Sequence, residues 1–193
     1  MAGDNDTTDG LPLKVFADDY RALDAAGFAA KHGNGFLVHD GPLQARRPMR
    51  PQMTVMLEKA PKIDLSLLKA ARPPVVAPVP VAIPEALVFP VRSTGRSPYP
   101  SMVTVGRTRN NDIVVADVAI SKFHAFFKQE DGRTLLHDAG SRNGTFLNGT
   151  VVPDSKHGKP LEVGEGARVR FGEIEFYFVT CAQLRELVAL APK

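Results

Sequence analysis

The sequence predicts a mainly β protein, an antiparallel β-sandwich closed by a C-terminal helix and preceded by a small helical region and a proline-rich linker. Three observations carry this. Short apolar runs recur at even spacing between residues 86 and 180, the texture of a sandwich. Turn pairs separate them, among them Asp131-Gly132, Asn148-Gly149 and Gly172-Glu173. From Thr180 onward the pattern changes to a helical stripe of Leu184, Leu187, Val188 and Leu190.

In chain order, residues 1–12 read as a disordered tail, small, turn-rich and acidic through Asp4, Asp6 and Asp9. Residues 13–40 read as a small helical accessory region. Val15 to Lys31 spaces Phe16, Tyr20, Leu23 and Phe28 for one helix or two short ones, and Gly33-Asn34-Gly35 ends them. Phe36-Leu37-Val38 has the composition of a short strand. The apolar face here is too small for a core of its own, so this region is expected to dock on the main domain.

Residues 41–85 form the linker, rich in proline and in basic residues such as Arg46, Arg47, Arg50 and Lys59. Ile63, Leu65, Leu67 and Leu68 suit a helical turn or two, and Pro73 to Pro84 (PPVVAPVPVAIP) suits an extended polyproline II spacer. Residues 86–180 are the sandwich. Within it Phe123, Ala125 and Phe127 alternate with His124, Phe126 and Lys128 as in a half-buried strand. Residues 181–193 are the closing helix, with Thr180 and Gln183 spaced as a capping box.

Composition narrows the functional classes. The formal charge is only +3 over 193 residues, so bulk charge names no partner. The single cysteine, Cys181, excludes an internal disulfide, and the five histidines are too scattered for a metal signature. The start is polar and acidic, unlike a signal peptide, and prolines break the most apolar run, Pro73 to Val91. A cytoplasmic protein with no membrane contact, no metal and no cofactor is the expectation.

The chemistry concentrates between Gly106 and Gly149. Arg107 supplies a planar, permanently charged fork of donors suited to phosphate. Ser121 supplies a hydroxyl just before a strand, and Asn143-Gly144 and Asn148-Gly149 mark tight turns. Together they make an anion site carried on loops. The order Gly106-Arg107, Asp112-Ile113, Ser121-Lys122-Phe123-His124-Ala125, Asp138-Ala139-Gly140-Ser141-Arg142-Asn143-Gly144-Thr145 and Asn148-Gly149 resembles the forkhead-associated (FHA) domain family. Lys122 departs from the family's usual arginine and Ala139 from its usual leucine.

The resemblance implies an FHA/SMAD-like sandwich that binds phosphothreonine in a partner protein, in bacterial Ser/Thr-kinase signalling or scaffolding. It implies phosphate contacts from Arg107, Ser121 and Lys122, and peptide contacts from Asn143, Arg142, Arg109 and Asn110; Asn111, in the same loop after Arg107, is expected to touch the peptide as well. Gly106, His124, Asp138, Gly144 and Asn148 are implied as supports of the loops.

Rival readings are weaker. Ser121, His124 and Asp138 could be named as a hydrolase triad, but no nucleophile elbow accompanies them, and no enzyme activity is expected. A phosphate-independent interaction domain is the alternative function. DNA binding through the basic linker ranks below it, because no aromatic residues or recognition helix accompany the charge. A further expectation is a switch in which the chain's own tail, phosphorylated at Thr8 or Thr7, folds back on Arg107 and Ser121.

Overall fold

The computed structural model describes residues 10–40, 43 and 86–190. The elements run β1 (Leu11–Pro12), a 3-10 turn (Leu13–Phe16), α1 (Ala17–Ala22), α2 (Ala25–His32), β2 (Gly35–His39), β3 (Leu87–Pro90) and β4 (Val103–Gly106). They continue with β5 (Ile113–Val114), β6 (Ala125–Glu130), β7 (Arg133–Asp138), β8 (Thr145–Leu147), β9 (Thr150–Val151), β10 (Leu161–Glu162), β11 (Arg168–Phe171), β12 (Ile174–Thr180) and α3 (Cys181–Leu190).

Two sheets face each other. One has seven strands in the order β1-β3-β2-β12-β11-β8-β9, and the other has five in the order β10-β7-β6-β4-β5. The pairings are antiparallel apart from β4 with β5. The expected sandwich and closing helix are both present. Thr180 and Gln183 form a reciprocal cap: the Thr180 N–H donates to Gln183 Oε1 (3.1 Å) and the Gln183 N–H to Thr180 Oγ1 (3.4 Å).

The first large difference concerns β2. The expected boundary at residue 86 separates an accessory region from the sandwich, yet β2 lies between β3 and β12 in the seven-stranded sheet. Leu37 pairs with Phe89 on one side and Phe178 on the other. Phe36, Leu37 and Val38 are all fully buried, because this strand is covered on both faces. Leu37 points into the core between the sheets, among Val105, Phe127, Leu136, Phe171 and Phe176. Phe36 and Val38 point outward into a second core with Leu13, Phe16, Phe28, Leu184 and Val188.

That second core explains the helices. Asp24 caps α2 by accepting the Gly27 N–H (2.7 Å), and Gly33, at φ 97°, ends it in a conformation that L side chains rarely adopt. α1, α2 and α3 then pack over the outer face of the seven-stranded sheet. Arg185 of α3 ties them together, donating to the Leu23 carbonyl (3.1 Å) and lying 4.8 Å over the Tyr20 ring. The N-terminal helices dock as expected, but through a strand that belongs to the sheet.

The pairing also relocates the linker. The polyproline II stretch and the turn at Ile63 to Leu68 lie outside the described residues. The flanks are described: β2 ends at His39, whose Nδ1 hydrogen-bonds the Glu175 carbonyl (2.8 Å), and β3 begins opposite it, with Leu87 in register with His39. The intervening segment therefore joins two neighbouring antiparallel strands, a connection that a few residues can make. Replacing residues 44–84 with a four-residue Gly/Ser turn is expected to preserve the fold. It should raise stability by about 1.4 kcal/mol, since the connection between His39 and Leu87 becomes roughly five-fold shorter and costs less closure entropy. Urea unfolding of the two chains, compared at equal m-value, measures this.

A second difference is on the five-stranded sheet. β6 was expected to be half-buried, but Ala125, Phe126 and Phe127 are all buried. Phe126 faces outward and stacks on His137 (4.5 Å between ring centroids) and on Phe123 (6.0 Å), which in turn stacks on Tyr99. The two-residue strands β1 and β10 were absent from the sequence reading, which no periodicity can detect at that length.

Candidate functional site

One end of the sandwich gathers the loop after β4, the approach to β6, the β7–β8 connection and the β11–β12 turn. Each is fixed from below. Gly106 closes β4 where a β-carbon would lie 2.3 Å from the Lys122 carbonyl and 2.6 Å from Asn111 Nδ2, so only glycine fits. The buried Asn111 donates through Nδ2 to the carbonyls of Thr108 and Lys122, both at 2.8 Å, and stitches the Arg107 loop to the Ser121 loop. Sequence reasoning placed Asn111 with the peptide contacts; the structure makes it a support.

Asp112 supports the same loop from beneath. It accepts from the backbone and hydroxyl of both Thr94 (2.7 and 2.9 Å) and Thr104 (both 2.9 Å). His124, fully buried, accepts the Ser121 N–H at Nδ1 (3.1 Å), which leaves its Nε2–H to donate to the Gly144 carbonyl (3.2 Å). Burial lowers its pKa below the ordinary histidine value, so the ring is neutral near pH 7 and bridges two loops.

Asp138 organises the third loop. It accepts the N–H groups of Gly140 and Ser141 (both 2.9 Å) and the hydroxyls of Ser141 (2.5 Å) and Thr145 (2.6 Å). Burial raises its pKa, but these hydrogen bonds outweigh burial and hold it below the usual carboxylate value. Neither Asp138 nor the Ser121 hydroxyl bonds to His124, so the three do not make a triad. Asn148 stands apart, at φ 51° in the β8–β9 turn, accepting the Arg168 N–H (2.8 Å).

On this frame opens a pocket of about 470 Å³ lined by Arg107, Val118, Ala119, Ile120, Ser121, Lys122, Gly140 and Arg142. Ser121 Oγ accepts the Arg142 N–H (3.1 Å), which leaves its own hydrogen to donate elsewhere. Arg107, Lys122 and Arg142 are exposed, and their charged groups have no hydrogen bond or ion pair among the described residues. Four of the predicted site residues therefore meet in one cavity: Arg107, Ser121, Lys122 and Arg142.

Three others lie outside its lining. Asn143 sits at the edge, where Nδ2 donates to the Ala119 carbonyl (2.7 Å) and leaves the side-chain oxygen to accept. Arg109 and Asn110 are exposed on the loop beyond Arg107, with Asn110 Oδ1 accepting the Thr108 hydroxyl (2.5 Å). Sequence reasoning missed the apolar wall, Val118 and Ile120, because the irregular stretch between β5 and β6 carries no pattern.

The family model for the FHA domain matches residues 103–172, from β4 to the β11–β12 turn. Residues 103–172 are an FHA domain. The sandwich is larger than the matched FHA segment, since β2, β3 and β12 complete it from outside.

The chain is 34% identical over 119 residues to the ABC transporter ATP-binding/permease protein Rv1747 of Mycobacterium tuberculosis, covering 55% of this chain and 13% of that one. It is 33% identical over 76 residues to the oxoglutarate dehydrogenase inhibitor of Corynebacterium diphtheriae, covering 39% and 49%. The chain thus spans less than half the length of either relative. Among solved structures, the N-terminal FHA domain of S. cerevisiae Rad53p in complex with a phosphothreonine peptide aligns at 24% identity and TM-score 0.38, covering 44% of this chain and 72% of that one.

Thr7 and Thr8, on which the expected tail switch rests, lie outside the described residues.

Proposed function

We propose that this pocket binds phosphothreonine in an extended segment of a partner protein, and that the chain is a non-enzymatic adaptor in Ser/Thr-kinase signalling in a bacterial cytoplasm. The observation that carries the proposal is the cavity itself, with three unpartnered cations around a hydroxyl free to donate and no carboxylate in its lining. Arg107 clamps two phosphate oxygens with its fork, Ser121 donates to a third, and Lys122 adds a point charge at the rim. The Asn143 side-chain oxygen accepts a peptide N–H and fixes the backbone. Val118 and Ile120 provide an apolar contact for the threonine γ-methyl.

This reading has support from the FHA match, from relatives in Mycobacterium and Corynebacterium, and from the fact that no described helix is long and apolar enough to cross a membrane. Calorimetry with three peptides of one sequence tests it. The phosphothreonine form is expected to bind, and the unphosphorylated form is not. The phosphoserine form should bind about four-fold more weakly, the worth of one buried methyl group. Affinity should fall as pH drops below about 6, where the phosphate loses its second charge. Equal binding of all three peptides would favour the phosphate-independent interaction domain.

A further inference from the structure

The pocket holds more positive charge than one phosphate neutralises. A phosphothreonine carries about −1.5 to −2 near pH 7, whereas Arg107, Lys122 and Arg142 bring three positive charges to one cavity. Several cations elsewhere on the surface have carboxylates within 4 Å, among them Arg21 with Asp18, Lys31 with Asp19, Arg133 with Glu162, and Arg168 with Glu175. The acids nearest the pocket in sequence are committed to backbone and hydroxyl donors. Asp117 accepts the Ala119 N–H, Asp112 holds Thr94 and Thr104, and Asp138 holds Ser141 and Thr145.

The three cations also have different attachments. Arg107 and Lys122 belong to loops that Asn111 stitches together, since Asn111 bonds the carbonyl of Lys122 itself. Arg142 belongs to the separate loop built on Asp138, and its backbone reaches across to Ser121 Oγ. Two cations and one hydroxyl suffice for the phosphate, and the third cation lines the cavity from the separate loop.

Resting on the phosphothreonine reading above, we propose that the ligand carries a second negative group within two residues of the phosphothreonine, and that Arg142 receives it. The chemistry required is an anionic oxygen cluster, which either an Asp or Glu side chain or a second phosphorylated residue supplies.

The test uses the full chain and a panel of phosphothreonine peptides: neutral neighbours, aspartates within two residues before it, aspartates within two residues after it, and a second phosphothreonine adjacent to it. A control of equal net charge carries its aspartates at the far end. At least one close-acid peptide is expected to bind about five-fold or more tightly than the control, and the advantage should shrink in 1 M salt. In Arg142→Gln that ratio should fall to about one, whatever the change in overall affinity. A larger gain from the second phosphothreonine than from aspartate names phosphate as the source, and equal gains name a carboxylate. Equal affinities across the panel, or a control that gains as much as the close-acid peptides, would overturn the proposal. Failure of every phosphopeptide to outbind its unphosphorylated form removes the parent reading and this inference with it.

Discussion

Arg107→Ala is expected to remove measurable phosphothreonine binding while leaving the fold intact. The side chain is exposed and holds nothing else in place among the described residues, so the change in unfolding free energy should stay within about 0.5 kcal/mol. Loss of the charge-assisted fork should cost about 2–5 kcal/mol of binding, roughly 30-fold to several thousand-fold in Kd. Arg107→Lys separates charge from geometry: it keeps the charge but loses the bidentate donors, and should recover only part of the affinity. Calorimetry against one phosphothreonine peptide, with thermal melting alongside, measures both. Unchanged affinity in Arg107→Ala would move the site away from this pocket.

The largest effect on stability is expected from Asp138→Ala. One carboxylate satisfies four donors, and Thr145, one of the residues it holds, is fully buried. Leaving those donors without an acceptor should cost about 2–4 kcal/mol and release the loop that carries Arg142 and Asn143, so binding falls as well. The pH dependence gives an independent signature. The folded-state pKa of Asp138 lies below its ordinary value of 3.8, so its stabilising contribution is present above about pH 4 and is lost as pH falls through the folded value.

His124 acts in a different window. Its folded pKa lies below 6.5, so the unfolded chain takes up the proton first and stability falls as pH drops below about 6.5. Urea unfolding across pH 3 to 8 should show both losses in the parent chain. Asp138→Ala should lack the more acidic one. An unchanged acid limb in that variant would show that Asp138 does not hold the loop.

Legible in the chain alone were the strands from β4 to β12 apart from the two-residue β10, the closing helix with its Thr180–Gln183 cap, and the charged and hydroxyl residues that meet in the pocket. These were legible because their signals are local. Strand alternation, Asn-Gly turns and the capping pair each act over a few residues, and Arg107, Ser121 and Arg142 sit at fixed offsets from them. The tertiary structure alone decided that β2 is an inner strand of the sheet. Phe36-Leu37-Val38 is compatible with a lone edge strand, and only the partners Phe89 and Phe178, 52 and 141 positions away, show it buried on both faces. Long-range pairing carries no sequence period, and neither does close approach, which is why Asn111 read as a ligand contact and proved to be a buried tie between loops.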